Sequence, residues 1–127
     1  MKPVPVTYME IYIEGQKFEC LLDTGCDFSI IPRRYIPTAE LQPANVTITA
    51  ANGSRIEILG CCEVDFRVQG MPVKAQLLVS NDVHDFLLGY DWLAAEEAYW
   101  NFTTRTLILH GVHIVLTAKN VRPSVCI

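Results

Sequence analysis

Asp23, Thr24 and Gly25 follow the apolar run Cys20-Leu21-Leu22 and precede Cys26-Asp27-Phe28-Ser29-Ile30-Ile31-Pro32. A carboxylate placed directly after such a run sits where a buried strand breaks into a tight turn, and burial disfavours its ionised form. Gly25, close behind, lets a second backbone or a substrate approach closely. A carboxylate in such a place is a candidate for proton transfer. An Asp that merely caps the turn after a strand accounts equally well for these three residues, and the triplet alone does not separate the two readings.

Other chemistry is weaker. His110 and His113 stand three apart in a region that reads as strand, so they face opposite sides and make a poor ligand pair; no metal site is expected. Cys26 lies beside the triplet, but with no partnered His or helix N-terminus nearby in sequence it reads as a small buried residue and not as a nucleophile. Arg33-Arg34 is the single basic pair and reads as a solvated turn.

In its wider context the segment resembles the active-site stretch of aspartic proteases: apolar residues, Asp23-Thr24-Gly25, a small residue, then Ser29 and the pair Ile30-Ile31. Downstream, Phe86-Leu87-Leu88-Gly89 resembles the family's second mark, an apolar pair before Gly. A single Asp-Thr-Gly at this separation is similar to the retropepsins of retroviruses and long-terminal-repeat retrotransposons, and Gly89-Tyr90-Asp91-Trp92-Leu93 is most similar to the retrotransposon, gypsy-type branch. The resemblance spans roughly residues 9–109. Two motifs in the right order are far more specific than either alone.

The resemblance implies an all-β, retropepsin-like acid protease fold, a closed, barrel-like domain with a flap hairpin and one short helix, working as a homodimer on a polypeptide substrate without a cofactor. Hydrolysis of an amide by two carboxylates needs both to share one proton, the established device of aspartic proteases. Asp65, Asp82, Asp85 and Asp91 lack the following Thr/Ser-Gly, so the second carboxylate is expected from Asp23 of another copy across a twofold axis. Thr24 would hydrogen-bond across that axis, and Gly25 would admit loops and substrate backbone. Asp27 matches a position that binds substrate main chain, although a turn-capping Asp fits it as well. Many viral members carry Arg directly after the Gly mark as the partner of that Asp; here Tyr90 stands there.

The tip Ala51-Asn52-Gly53 sits between the alternating segments 46–49 and 55–58. Asn-Gly is a strong hairpin signal because both residues tolerate positive φ. An ordinary surface hairpin and the family's substrate-closing flap both fit; on the second reading Ala51, Asn52 and Gly53 contact substrate, as do Phe86 and Leu87.

The rest of the chain supplies a frame for these residues. A length of 127 residues makes one domain, and 50% hydrophobic with 19% charged residues excludes a disordered tail. The net charge of −4 argues against nucleic acid as a partner. No apolar run reaches the roughly 18 residues that cross a bilayer, and the five cysteines include no Cys-x-x-Cys pair. The expectation is a cytosolic protein with free thiols, or a piece of a larger precursor inside a virus-like particle, with a polyprotein as substrate. The alternative is a domesticated or ubiquitin-pathway-like dimeric module of the same fold, acting mainly in binding or assembly, with narrow or lost proteolysis.

Hydrophobic alternation predicts a hairpin of 9–14 and 18–22 around Gly15-Gln16-Lys17, a second hairpin of 63–68 and 73–79 around Gln69-Gly70, and a short buried strand at 86–88. A helix is expected over 91–98, where Ala and Glu dominate, with Asp91 near its positive end. Strand, turn, strand is expected over 102–109 with the bend at 103–105, and a further strand over 112–116. Pro3 and Pro5 restrict the N-terminus to an extended or edge segment, and the short, partly apolar tail 121–127 would be unstable alone and buried if paired with a partner chain.

Overall fold

A computed structural model describes residues 4–50 and 52–121 of the chain. β1 (Val4–Ile13) and β2 (Gln16–Leu22) form the first hairpin, paired from Thr7↔Leu22 to Ile13↔Gln16. The turn is tighter than the sequence suggested. Only Glu14 and Gly15 lie outside the strands, both with positive φ (49° and 80°), and Gln16 and Lys17 already belong to β2. Such a two-residue turn matches the right-handed twist of the strands it joins.

β3 (Ile30–Pro32) follows the Asp23 turn and leads into a short 3-10 turn over Arg33–Tyr35. β4 (Ile48–Thr49) and β5 (Arg55–Ile56) make the small hairpin, shorter than the alternating residues implied. β6 (Gly60–Val68) and β7 (Met71–Ser80) form the long hairpin, and their burial alternates along β6 as a half-buried strand requires. β8 (Phe86–Leu88) is wholly buried.

The main sheet runs β12-β1-β2-β8-β3-β7-β6, and the pair Tyr12↔Arg67 joins β1 back to β6. Six strands, β1-β2-β8-β3-β7-β6, therefore close on themselves. Closure leaves no long free edge within the barrel. Two of its pairs are parallel: β2 with β8 in the register Cys20↔Phe86, Leu21↔Leu87 and Leu22↔Leu88, and β3 with β7. The parallel β2–β8 pair brings the strand before Asp23 and the strand before Gly89 side by side.

α1 (Tyr90–Ala95) starts one residue earlier and stops three residues sooner than expected. Its end is closed by Ala98 N–H donating to the Leu93 carbonyl (3.0 Å), with Glu97 at φ 52°. That is the left-handed closure usually made by glycine. Trp92 and Leu93 pack the helix on the core, and Trp92 Nε1 donates to the Lys74 carbonyl (3.0 Å). β9 (Tyr99–Asn101), β10 (Thr106–Leu109) and β11 (Val112–Val115) then form a separate three-stranded sheet.

β12 (Thr117–Val121), a polar stretch not legible as a strand, pairs antiparallel with the first half of β1 from Val4↔Val121 to Tyr8↔Thr117. Pro5 is accommodated because pairing with β2 begins only at Thr7, so no ladder bond is lost on that side. Val121 belongs to this strand. The remainder of the expected interface tail, 122–127, lies outside the described residues.

The principal core gathers Met9, Ile11, Leu22, Ile31, Phe66, Phe86, Leu88, Trp92 and Leu107, among others. Phe66 meets Phe86 edge-on, with ring centroids 5.9 Å apart. A second cluster of Ile30, Ile48, Ile56, Leu78 and Val83 anchors the small β4–β5 hairpin to β3 and β7. The hairpin base is thus fixed to the strand that leaves the Asp23 turn.

Candidate active site

Asp23 is the first residue past β2, and its N–H donates to the Leu88 carbonyl (3.1 Å), extending the parallel pairing one step. The chain then reverses, with Cys26 N–H donating to the Asp23 carbonyl (3.2 Å). Within this turn Gly25 N–H donates to Asp23 Oδ1 (2.9 Å), and the Cys26 thiol donates to Asp23 Oδ2 (3.1 Å). Both oxygens are held from inside the turn. Asp23 as a residue is half-buried, so solvent reaches part of it.

Ser29 and Asp91 carry the outer frame of the turn. Ser29, 1% exposed, donates from Oγ to Asp91 Oδ1 (2.7 Å) and accepts from Gly89 N–H (2.9 Å), while its own N–H donates to Asp91 Oδ2 (3.2 Å). Trp92 N–H also donates to Asp91 Oδ1 (2.7 Å). The Asp23 segment and the Leu88-Gly89 segment are therefore locked together by a serine and an acid that sequence reading left outside the site. Asp91 does stand in the first turn of α1, as expected from its charge, but accepting three hydrogen bonds, two from Ser29 and one from Trp92, is its larger part.

Gly89 is required by space and not by backbone freedom. Its φ is −98°, open to any residue, yet a Cβ there would lie 2.5 Å from the Cys26 carbonyl oxygen and 2.7 Å from that of Phe28. Tyr90 N–H meets the same Cys26 carbonyl at 2.7 Å. The two sequence motifs thus touch main chain to main chain.

Thr24 is exposed and lies at the edge of a shallow hollow of about 250 Å³ lined also by Tyr90, Leu93, Ala94, Ala98 and Trp100. Asp27 is exposed, and among the described residues its side chain has no hydrogen bond or ion pair. No cation among the described residues pairs with it. Phe86 is buried in the principal core, and Leu87 is buried on the other face of β8 with Leu21 and Val6 against the partly buried Tyr8, so neither side chain is exposed to a substrate in this chain as the sequence led one to expect. The two residues grouped together by sequence are separated by the alternation of the strand.

At the small hairpin, Gly53 has φ 88°, its N–H donates to the Ala50 carbonyl (2.9 Å), and Ala50 N–H donates to the Ser54 carbonyl (2.8 Å). Asn52 accepts from Ser54 N–H through Oδ1 (2.9 Å). Asn52 and Gly53 are exposed, and Ala51 lies outside the described residues.

His110 pairs with Glu96 (3.1 Å) in the β10–β11 turn, and His113 is exposed in β11. Cys20 is buried and donates to the Met9 carbonyl; burial pushes its thiol well above the ordinary range. A wider cleft of about 450 Å³, lined by Tyr12, Glu14, Asp65, Arg67 and Lys74 among others, contains none of the candidate site residues.

Residues 9–95 match the family described as gag-polyprotein putative aspartyl protease. Among solved structures the chain is similar to the retroviral protease-like domain of Ddi1 from Leishmania major, with a TM-score of 0.73 and 18% identity over 94% of this chain and 100% of that one. It is also similar to EIAV protease in complex with an inhibitor, with a TM-score of 0.58 and 22% identity over 80% of this chain and 94% of that one. At such identities the likeness is one of fold.

Proposed function

Because the chain belongs to the family of gag-polyprotein aspartyl proteases and has the retropepsin-like fold, we propose that it is an aspartic endopeptidase whose active site is completed by a second copy of itself. The observation that carries this reading is the state of Asp23: a carboxylate at the end of a buried strand, fixed through both oxygens by its own turn, in a residue that solvent still partly reaches. The exposed Thr24 and the apolar hollow beside it give a second copy a place to dock next to the carboxylate.

In the proposed dimer the two Asp23 carboxylates share one proton, because close like charges do not readily ionise together. Water held between them gives a proton to the ionised carboxylate as its oxygen attacks the scissile carbonyl carbon. The protonated carboxyl gives its proton to the carbonyl oxygen. The carboxyl that took the water proton then gives it to the amide nitrogen, and as the C–N bond breaks a hydroxyl of the tetrahedral diol returns its proton to the other carboxylate, so that one proton again rests on the pair. Asp27 and the tip Asn52-Gly53 would bind substrate main chain. A polyprotein containing the domain is the proposed substrate.

The likeness to a protease-like domain of Ddi1 favours a second reading, in which the dimer binds or assembles with little or no cleavage. Incubation of the purified protein with a library of unstructured peptides separates the two. Cleavage by the wild type and its loss in Asp23→Asn, with the same melting temperature, supports the peptidase; no cleavage of any peptide by a demonstrated dimer supports the binding module.

A further inference from the structure

We propose that Cys26 is a positioning residue for the Asp23 carboxylate, holding it by a thiol hydrogen bond; the inference rests on Asp23 being the acid-base group. Cys26 is fully buried, and its main chain is pinned on both sides, through its N–H to the Asp23 carbonyl (3.2 Å) and through its carbonyl to Tyr90 N–H (2.7 Å). With the backbone fixed, its Sγ stands 3.1 Å from Asp23 Oδ2, while Gly25 N–H occupies Oδ1 at 2.9 Å. One donor on each oxygen fixes the rotation of the carboxylate plane. Acid-base catalysis is sensitive to that rotation, because the proton must be passed along a defined direction.

Packing alone gives a different expectation. A buried cysteine can act simply as a small hydrophobe. On that account alanine would be the gentle replacement and serine the harsh one, since a buried hydroxyl without need of a partner is costly. If the S–H donor is what matters, the order reverses: serine still donates to Oδ2 and alanine does not.

The titratable groups on the elements around the turn are Asp27 in the loop, Lys17, Glu19 and Cys20 in β2, and Tyr90 and Asp91 at the start of α1. Asp91 is held by Ser29 and by Trp92 N–H, and Cys20 donates to the Met9 carbonyl. In the dimer the partner's Asp23 joins them. Only the Cys26 thiol donates to Oδ2 among the described residues.

The test compares Cys26→Ala with Cys26→Ser in the full chain, using peptide cleavage and melting temperature. Cys26→Ala is expected to lower kcat by about two- to tenfold, the usual weight of one hydrogen bond, with KM unchanged. Cys26→Ser, whose hydroxyl still donates to Oδ2, is expected to be faster than Cys26→Ala although it melts no higher. Equal kcat in wild type and Cys26→Ala, or a serine variant slower than alanine, overturns the role of the thiol. A wild type that cuts no peptide contradicts the peptidase reading instead, and with it the inference that rests on it.

Discussion

Ser29 Oγ, 62 residues away from Asp91 in sequence, donates to its carboxylate at 2.7 Å while accepting the Gly89 N–H at 2.9 Å. This contact joins the loop that carries Asp23 to the corner that carries Gly89. It predicts that Ser29→Ala, which leaves Gly89 N–H without its partner and removes one of the three donors to Asp91, lowers stability by about 1–3 kcal/mol. Asp91→Ala, removing the acceptor of three donors, should cost more than Asp91→Asn, which keeps one acceptor oxygen. Urea unfolding at constant m-value measures both, and an unchanged midpoint in Ser29→Ala would remove the frame proposed here.

The small hairpin offers a separate test of its role over the substrate. Gly53 holds φ 88°, a conformation that a β-branched residue resists, so Gly53→Val should deform the tip. Its base is held by Ile48 and Ile56 in the second apolar cluster and should stay in place. Turnover should then fall more than stability. If melting drops while kcat is unchanged, the hairpin is a structural element and not a flap.

Cys20 makes stability depend on alkaline pH in a predictable direction. Burial raises its thiol above the ordinary 9.0, so the folded state holds the proton after the unfolded chain has released it. Stability from this group is fully present below pH 9.0 and declines as the pH rises beyond that value. The slope from Cys20 is about 1.4 kcal/mol per pH unit. Chemical denaturation between pH 8 and pH 10.5 should show a shallower decline for Cys20→Ala than for the wild type, and parallel lines would contradict the burial argument.

Much of the barrel was legible because hydrophobic alternation and burial coincide along β1, β2, β6 and β7, where each second residue meets one core. The Asp23 and Gly89 motifs were legible as local signals. Their union through Ser29 and Asp91 was not, since it arises only when β3 and β8 pair antiparallel at Ile30↔Leu87. The helix end escaped for a different reason: Ala94 to Ala98 all favour helix, yet the chain must turn into β9, and Glu97 makes that turn without the glycine that would have signalled it. β12 is polar and carries no strand pattern. Its pairing with β1 and the ion pair of Lys119 with Glu19 (2.6 Å) hold it in the sheet.

Whether the active site belongs to one chain or two is decided most directly by mixing wild type with Asp23→Asn at a fixed wild-type concentration, above the dimer dissociation constant and after full exchange. If each site takes one Asp23 from each of two chains, wild-type dimers at equal mixing make up about a quarter of all dimers. Activity per wild-type chain then falls to about half of its unmixed value, and falls further as the mutant fraction rises. Activity per wild-type chain that stays constant at every mixing ratio would contradict the shared site.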